Sequence, residues 1–286
     1  MFPVALGLGA ATCIGVANIC AGYASRRVSP LLVGFWSQAT GATLCAVLLL
    51  ISRPPLVAGQ LVWGLLAGFA GGLGMALFYR AMAAGAISLV APITACAVVV
   101  PVMYAIAAGE TPTLLVSIGI VAIIAGVLVA SMQPARIEGD LARAGVADER
   151  RVLLLAVAAA VIFGVFFILI DLAPRADGWG TLWTAGAVRL SGFSVQIALL
   201  ARARKRLTGP GRLAPAIITV GALDLISLIL ISIGATTNAY GVVTALVGLY
   251  PVITALLGVL VLGERLTRMQ ASGATLAMAG VMLVSV

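Results

Sequence analysis

Arg189 and Asp224 are the two ionisable residues set deepest in apolar runs of this sequence. Each lies about ten residues from the end of its run, or roughly 15 Å along a helix. If such a run lies in lipid, an arginine at that depth costs roughly 2.5–3.5 kcal/mol on insertion scales, so it must face protein or water and find a partner. The two residues stand at matching depths on neighbouring segments joined by a short basic connection, so each is the other's natural partner. Two roles follow. Either the pair is structural and fixes its helices, or Arg189 binds a substrate carboxylate while Asp224 takes an ammonium group or a proton.

Neutral groups at comparable positions would complete a pocket. Asn18, Gln38, Thr94, Asn238 and Thr244 offer hydrogen bonds, and Tyr79, Trp183, Tyr240 and Tyr250 offer apolar faces with a polar tip. Such a lining suits a small zwitterion or an amphipathic metabolite. Aromatic residues near segment ends also serve as interface anchors, the role assigned to Trp63 and Trp179. Asp171 is interfacial, with proton exchange as its alternative role. Histidine is absent, so any proton relay must use Asp or Glu. Cys13, Cys20, Cys45 and Cys96 form no CxxC pair and fit small buried apolar positions. Pro92, Pro101 and Pro251 fall inside predicted helices, where each removes a backbone hydrogen bond and kinks the helix. They are candidate hinges or static bends. No metal site and no cofactor are expected.

The elements that must position these residues are membrane spans. Of 286 residues 63% are hydrophobic and 9% charged, against about a quarter charged in soluble domains. Ten runs of sufficient length follow, at 3–25, 31–52, 58–79, 85–107, 113–132, 152–172, 179–201, 213–233, 239–262 and 268–286. Unpaired backbone groups are intolerable in hydrocarbon, so runs of this length mean helices. The fold expected is an all-α membrane protein. The N-terminal run has no basic residue before Arg26 and is taken as a retained helix rather than a secretory signal.

Charge sets the orientation. Connections after spans 1, 3, 5, 7 and 9 carry fourteen of the 17 basic residues, and the opposite face carries only Arg53 and Arg175. Basic loops stay cytoplasmic, which puts both termini outside. The net charge of +8 then meets lipid headgroups, and no nucleic acid is expected as a partner.

The chain also repeats itself. Pro101 aligns with Pro251, and Thr94-Ala95 with Thr244-Ala245. Gly109-Glu110 aligns with Gly263-Glu264, and Gly119 and Gly126 with Gly273 and Gly280. Gly15 matches Gly164, and Gly41 matches Gly192, which sets Gln38 against Arg189. Glu110 and Glu264 are assigned to helix-terminus contacts. Gly64, Gly68 and Gly72 form a small-residue ridge for close helix packing. Five helices per half place the second half upside down relative to the first, an inverted repeat of the kind secondary transporters use. The halves are residues 1–135 and 152–286, with a cytoplasmic linker at 136–151.

LYPVITALLGVLVLGERLT at 249–267, VVPVMYAIAAGETPT at 99–113 and FYRAMAAGAISLVAPITA at 78–95 carry a resemblance. The sequence resembles the drug/metabolite transporter superfamily in its ten-helix EamA-type branch, across essentially the whole chain. The resemblance implies a monomeric carrier whose central cavity is lined by spans 1–4 and 6–9. Among bacterial relatives it is most similar to amino-acid exporters of the YddG type. Small four-helix relatives place a glutamate in helix 1 for proton exchange, whereas this sequence has Asn18 there.

The expected function is therefore secondary transport of a small metabolite, first of all an amino acid, by alternating access in the bacterial inner membrane. Export follows from the resemblance, and drugs or other amphipathic metabolites are the alternative cargo. No GxxxxGK[ST] motif is present, so ATP is not the direct driver. An intramembrane enzyme would need HExxH, GxSxG or a carboxylate cluster, none of which occurs. A channel would need a continuous polar pore, for which the buried polar residues are too few.

Overall fold

The computed structural model describes residues 1–25, 27–83, 93–94, 96–109, 111–131, 146–175, 178–204, 207–262 and 267–285. Pro92, Glu110, Glu264 and most of the linker lie outside the described residues, as do the side chains of Tyr79 and Trp179. Among the described residues the regular structure is helical. Helices α1 (Phe2–Ser25), α2 (Pro30–Ser52) and α3 (Ala58–Ala83) are the first three spans. Next come α4 (Val99–Ala107), α5 (Leu114–Ser131), α6 (Val146–Asp171), α7 (Leu182–Arg202) and α8 (Ala214–Gly234). The chain closes with α9 (Tyr240–Val247), α10 (Tyr250–Leu262) and α11 (Arg268–Ser285).

Six helices among the described residues are long and apolar enough to cross a membrane: α1, α2, α3, α6, α7 and α8. Their outward faces carry large apolar side chains, among them Leu50, Ile51, Leu154 and Leu190. Apolar area on that scale belongs against lipid rather than water.

Helix α6 begins at Val146, ahead of the sixth apolar run. The ninth span breaks at the kink expected of Pro251. α9 stops at Val247, Gly248 and Leu249 form a turn, and α10 starts at Tyr250. The cause is Pro251, which has no N–H to bond back to Val247 and whose ring crowds that carbonyl. The Leu249 N–H instead bonds Leu246 O at 3.0 Å, and α10 begins with proline in its first turn. The fourth span repeats the device: a 3-10 turn at Cys96–Val98 precedes α4, and Pro101 sits in the first turn of α4.

The packing is symmetric under exchange of halves. α3 packs on α6 as α8 packs on α1, and α3 packs on α7 as α8 packs on α2. α6 meets α4 as α1 meets α9 and α10, while α2–α7 and α5–α11 each map onto themselves. Glycines mark the closest approaches. Gly68 lies over the Val188 carbonyl and Gly221 over the Ser37 carbonyl, and these two contacts exchange when the halves are swapped. A Cβ at Gly126 would lie 2.6 Å from Gly273 O, and one at Gly280 would lie 2.6 Å from Gly119 O. The second pair is the first with the halves exchanged. The ridge of Gly64, Gly68 and Gly72 packs on α7 at Thr184, Val188 and Val195, as its spacing predicts.

The symmetry reaches the helix ends. Arg53 follows α2 with φ 41°, and Arg204 follows α7 with φ 48°. Both are left-handed, a conformation a residue with a Cβ adopts at a cost.

Candidate functional site

Helices α2, α7 and α8 meet where Gly41 and Gly221 let their backbones touch. A Cβ at Gly41 would lie 3.2 Å from Gly221 O and 3.4 Å from both Cδ and Nε of Arg189. Glycine there seats the arginine stem. Gly192 lies beside Gln38 in the same way, with a Cβ there 3.9 Å from the Gln38 amide nitrogen. The Arg189 Nη1 donates to Gln38 Oε1 at 2.9 Å. Residues at matching positions of the two repeats thus touch, and the pseudo-two-fold axis runs between them.

Asp224 stands further off. Its Oδ2 is 3.8 Å from Arg189 Nη1, beyond hydrogen-bond distance. The Arg189 side chain is 8% exposed and that of Asp224 is 36% exposed. Arg189 Nε is buried and has no hydrogen-bond partner among the described residues. The guanidinium is therefore held by one neutral acceptor, faced at a distance by one carboxylate, and left with donor capacity. That arrangement can take a second anionic or carbonyl oxygen without first breaking a bidentate ion pair.

The other sequence candidates scatter. Asn18 on α1 donates to Thr254 Oγ1 on α10 at 3.4 Å, in an exposed position. The Tyr240 hydroxyl bonds Phe167 O at 2.9 Å and the residue is 1% exposed, so it ties α9 to α6 and presents no face to a cavity. Thr244 is fully buried, and its hydroxyl returns to the Tyr240 and Gly241 carbonyls of its own helix. The Trp183 indole N–H donates to the carbonyls of Pro54 and Pro55 at 3.3 and 3.1 Å, anchoring the α2–α3 loop. Trp36 holds the α7–α8 loop likewise through Thr208 O at 2.8 Å. Asn238 lies at the rim, where Arg175 Nη1 donates to its side-chain oxygen at 3.3 Å. Thr94 is buried in the fourth span, and Tyr250 packs partly buried against the α5–α11 core. Of the ten candidate lining residues whose side chains are described, three come together: Gln38, Arg189 and Asp224.

A model of the EamA-like transporter family matches residues 1–132 and again 150–286. No curated protein matches the chain in sequence. Among solved structures, one described only as the crystal structure of a protein aligns with a TM-score of 0.78 at 17% identity. The alignment covers 99% of this chain and 96% of that one. At that identity the likeness shows a shared fold.

Proposed function

From the premise that the chain belongs to the EamA-like transporter family, and is thus a membrane transporter of small molecules, we propose that it exports an amino acid or a metabolite of similar size. It does so as a monomer in a bacterial inner membrane, by alternating access between halves that span residues 1–135 and 152–286. The basic loops face the cytoplasm and both termini face outward, in keeping with the positive-inside rule.

The observation that carries this reading is the loose trio on the pseudo-two-fold axis. A zwitterion brings its own carboxylate and ammonium group. The carboxylate replaces Asp224 as the counter-charge of Arg189, using donors that Gln38 leaves free. The ammonium group takes up Asp224. The charges then stay balanced with the site loaded or empty, so crossing the membrane strands no charge in low dielectric. A tight bidentate pair would have to be broken first. A gap of 3.8 Å removes most of that cost.

The breaks at Pro101 and Pro251 supply the moving parts under this proposal. Each sits in a helix that packs across to the other half, so bending one closes an end of the path as its counterpart opens. Drugs or other amphipathic metabolites are the competing cargo, and amino-acid exporters of the YddG type set the first panel to try.

Counterflow tests the reading. Purified protein in liposomes loaded with unlabelled amino acid should accumulate labelled amino acid from outside. Arg189→Gln should abolish accumulation while the protein stays folded. Flux that neither saturates nor shows trans-stimulation would indicate a channel and overturn the proposal.

A further inference from the structure

A second polar site lies away from the trio, towards the face that bears the N-terminus. α3 begins there, α6 and α8 end there, and α7 starts there. Between them is a cavity of ≈ 10 Å³ lined by Gln60, Arg175, Thr181, Thr184, Ser232 and Thr236, among others. That is room for about one water molecule. Gln60 is 1% exposed and Ser232 is 4% exposed. Yet Gln60 Oε1 and Ser232 Oγ have no hydrogen-bond partner among the described residues.

The amide orientation is fixed by its other end. Gln60 Nε2 donates to Pro174 O at 3.0 Å. A carbonyl only accepts, so the nitrogen must face Pro174 and the oxygen must face the cavity. The ligand therefore has to donate to Gln60. It cannot be an anion, which would oppose that oxygen. A metal cation is disfavoured by the Arg175 guanidinium in the same lining. A small neutral donor and acceptor remains. The geometry points to a buried water that donates to Gln60 Oε1, bonds Ser232 Oγ and bridges α3 to α8.

The pseudo-symmetry makes the site informative. Exchanging the halves carries Gln60 to Leu213, Thr184 to Val33 and Ala173 to Ala24. Those counterparts lie in one apolar cluster at the opposite, basic face, packed with Ile217. The same seam is apolar at one end and polar at the other. On α7 the polar end lies five residues from Arg189, about 8 Å along the helix. Parting this seam admits more water to a polar lining. Parting the apolar seam exposes hydrocarbon.

Radiolytic hydroxyl-radical footprinting of the full chain tests the site. Ile170 lines the cavity and Ile217 sits in the apolar counterpart, and each is 1% exposed. Bound water generates radicals beside Ile170, so Ile170 should be modified several-fold faster than Ile217. Gln60→Leu with Ser232→Ala should remove that difference. Equal rates in the native chain would overturn the proposal, whatever the fate of the substituted one. A thermal cycle gives a second reading. Each single substitution strands the other group and lowers the unfolding temperature, and the double variant should lose clearly less than the sum. Additive losses would mean that no water links the two.

Discussion

Replacing Asp224 with asparagine separates the two roles open to the mid-membrane charges. At 3.8 Å the gross attraction between Arg189 and Asp224 is about 4 kcal/mol at an effective dielectric of 20. The carboxylate is 36% exposed on its side chain and makes no hydrogen bond to the guanidinium. Screening therefore reduces the net contribution to about 1 kcal/mol or less. The Gln38 contact is different. It is a hydrogen bond of 2.9 Å to a guanidinium 8% exposed, worth about 1.5–3 kcal/mol. Removing it leaves Nη1, like Nε, without a hydrogen-bond partner among the described residues. For a chain of this size about 1 kcal/mol corresponds to roughly 2–4 °C in unfolding temperature. Asp224→Asn should therefore cost a few degrees at most and Gln38→Leu clearly more. Thermal unfolding of the purified protein in detergent, followed by tryptophan fluorescence, reads both. Counterflow should rank the variants the other way, with Asp224→Asn losing zwitterion exchange. A larger loss of stability in Asp224→Asn than in Gln38→Leu would refute this reasoning and make the ion pair the clamp of the bundle.

Three further outcomes follow from the same geometry. Gly126→Val and Gly280→Val should each lower stability by a similar amount, about 1–3 kcal/mol as for overpacked contacts, because the two positions are copies of one crossing; tolerance of one and not the other would break the symmetry argument. Pro251→Ala should leave the chain folded and slow trans-stimulated exchange, and unchanged exchange would reduce the break in the ninth span to a static bend. Arg204→Gly should raise the unfolding temperature by roughly 2–4 °C, by releasing about 1 kcal/mol of left-handed strain; no rise would show that the helix end is relaxed as it stands.

Sequence reasoning reached the fold because lipid simplifies the problem. Apolar runs must be helices, basic loops mark one face, and glycines at matching positions betray the repeat. It reached Arg189, Asp224 and Gln38 because charge at depth is costly, and because the alignment through Gly41 and Gly192 set Gln38 against Arg189. It was less successful with hydroxyls and aromatics. Tyr240, Thr244 and Trp183 satisfy backbone carbonyls, and a lone hydroxyl or indole in a sequence carries no sign of its acceptor. Gln60 and Ser232 were missed for the opposite reason. They are 172 residues apart in the chain, and only folding brings their unmet valences to one cavity. The break at Val247–Tyr250 was anticipated as a kink, but its position depended on which carbonyl Pro251 crowds.

The contact between Gln38 and Arg189 sets a limit on how alike the two halves can be. Two identical copies of a single half, paired upside down to one another, would meet on a true two-fold axis, and any residue on that axis would meet itself. Arginine there would face arginine, and glutamine would face glutamine. Only halves that differ in sequence can place a donor on one side of the axis and an acceptor on the other. A single positive charge at the centre of the molecule is thus a character that no assembly of identical subunits could hold.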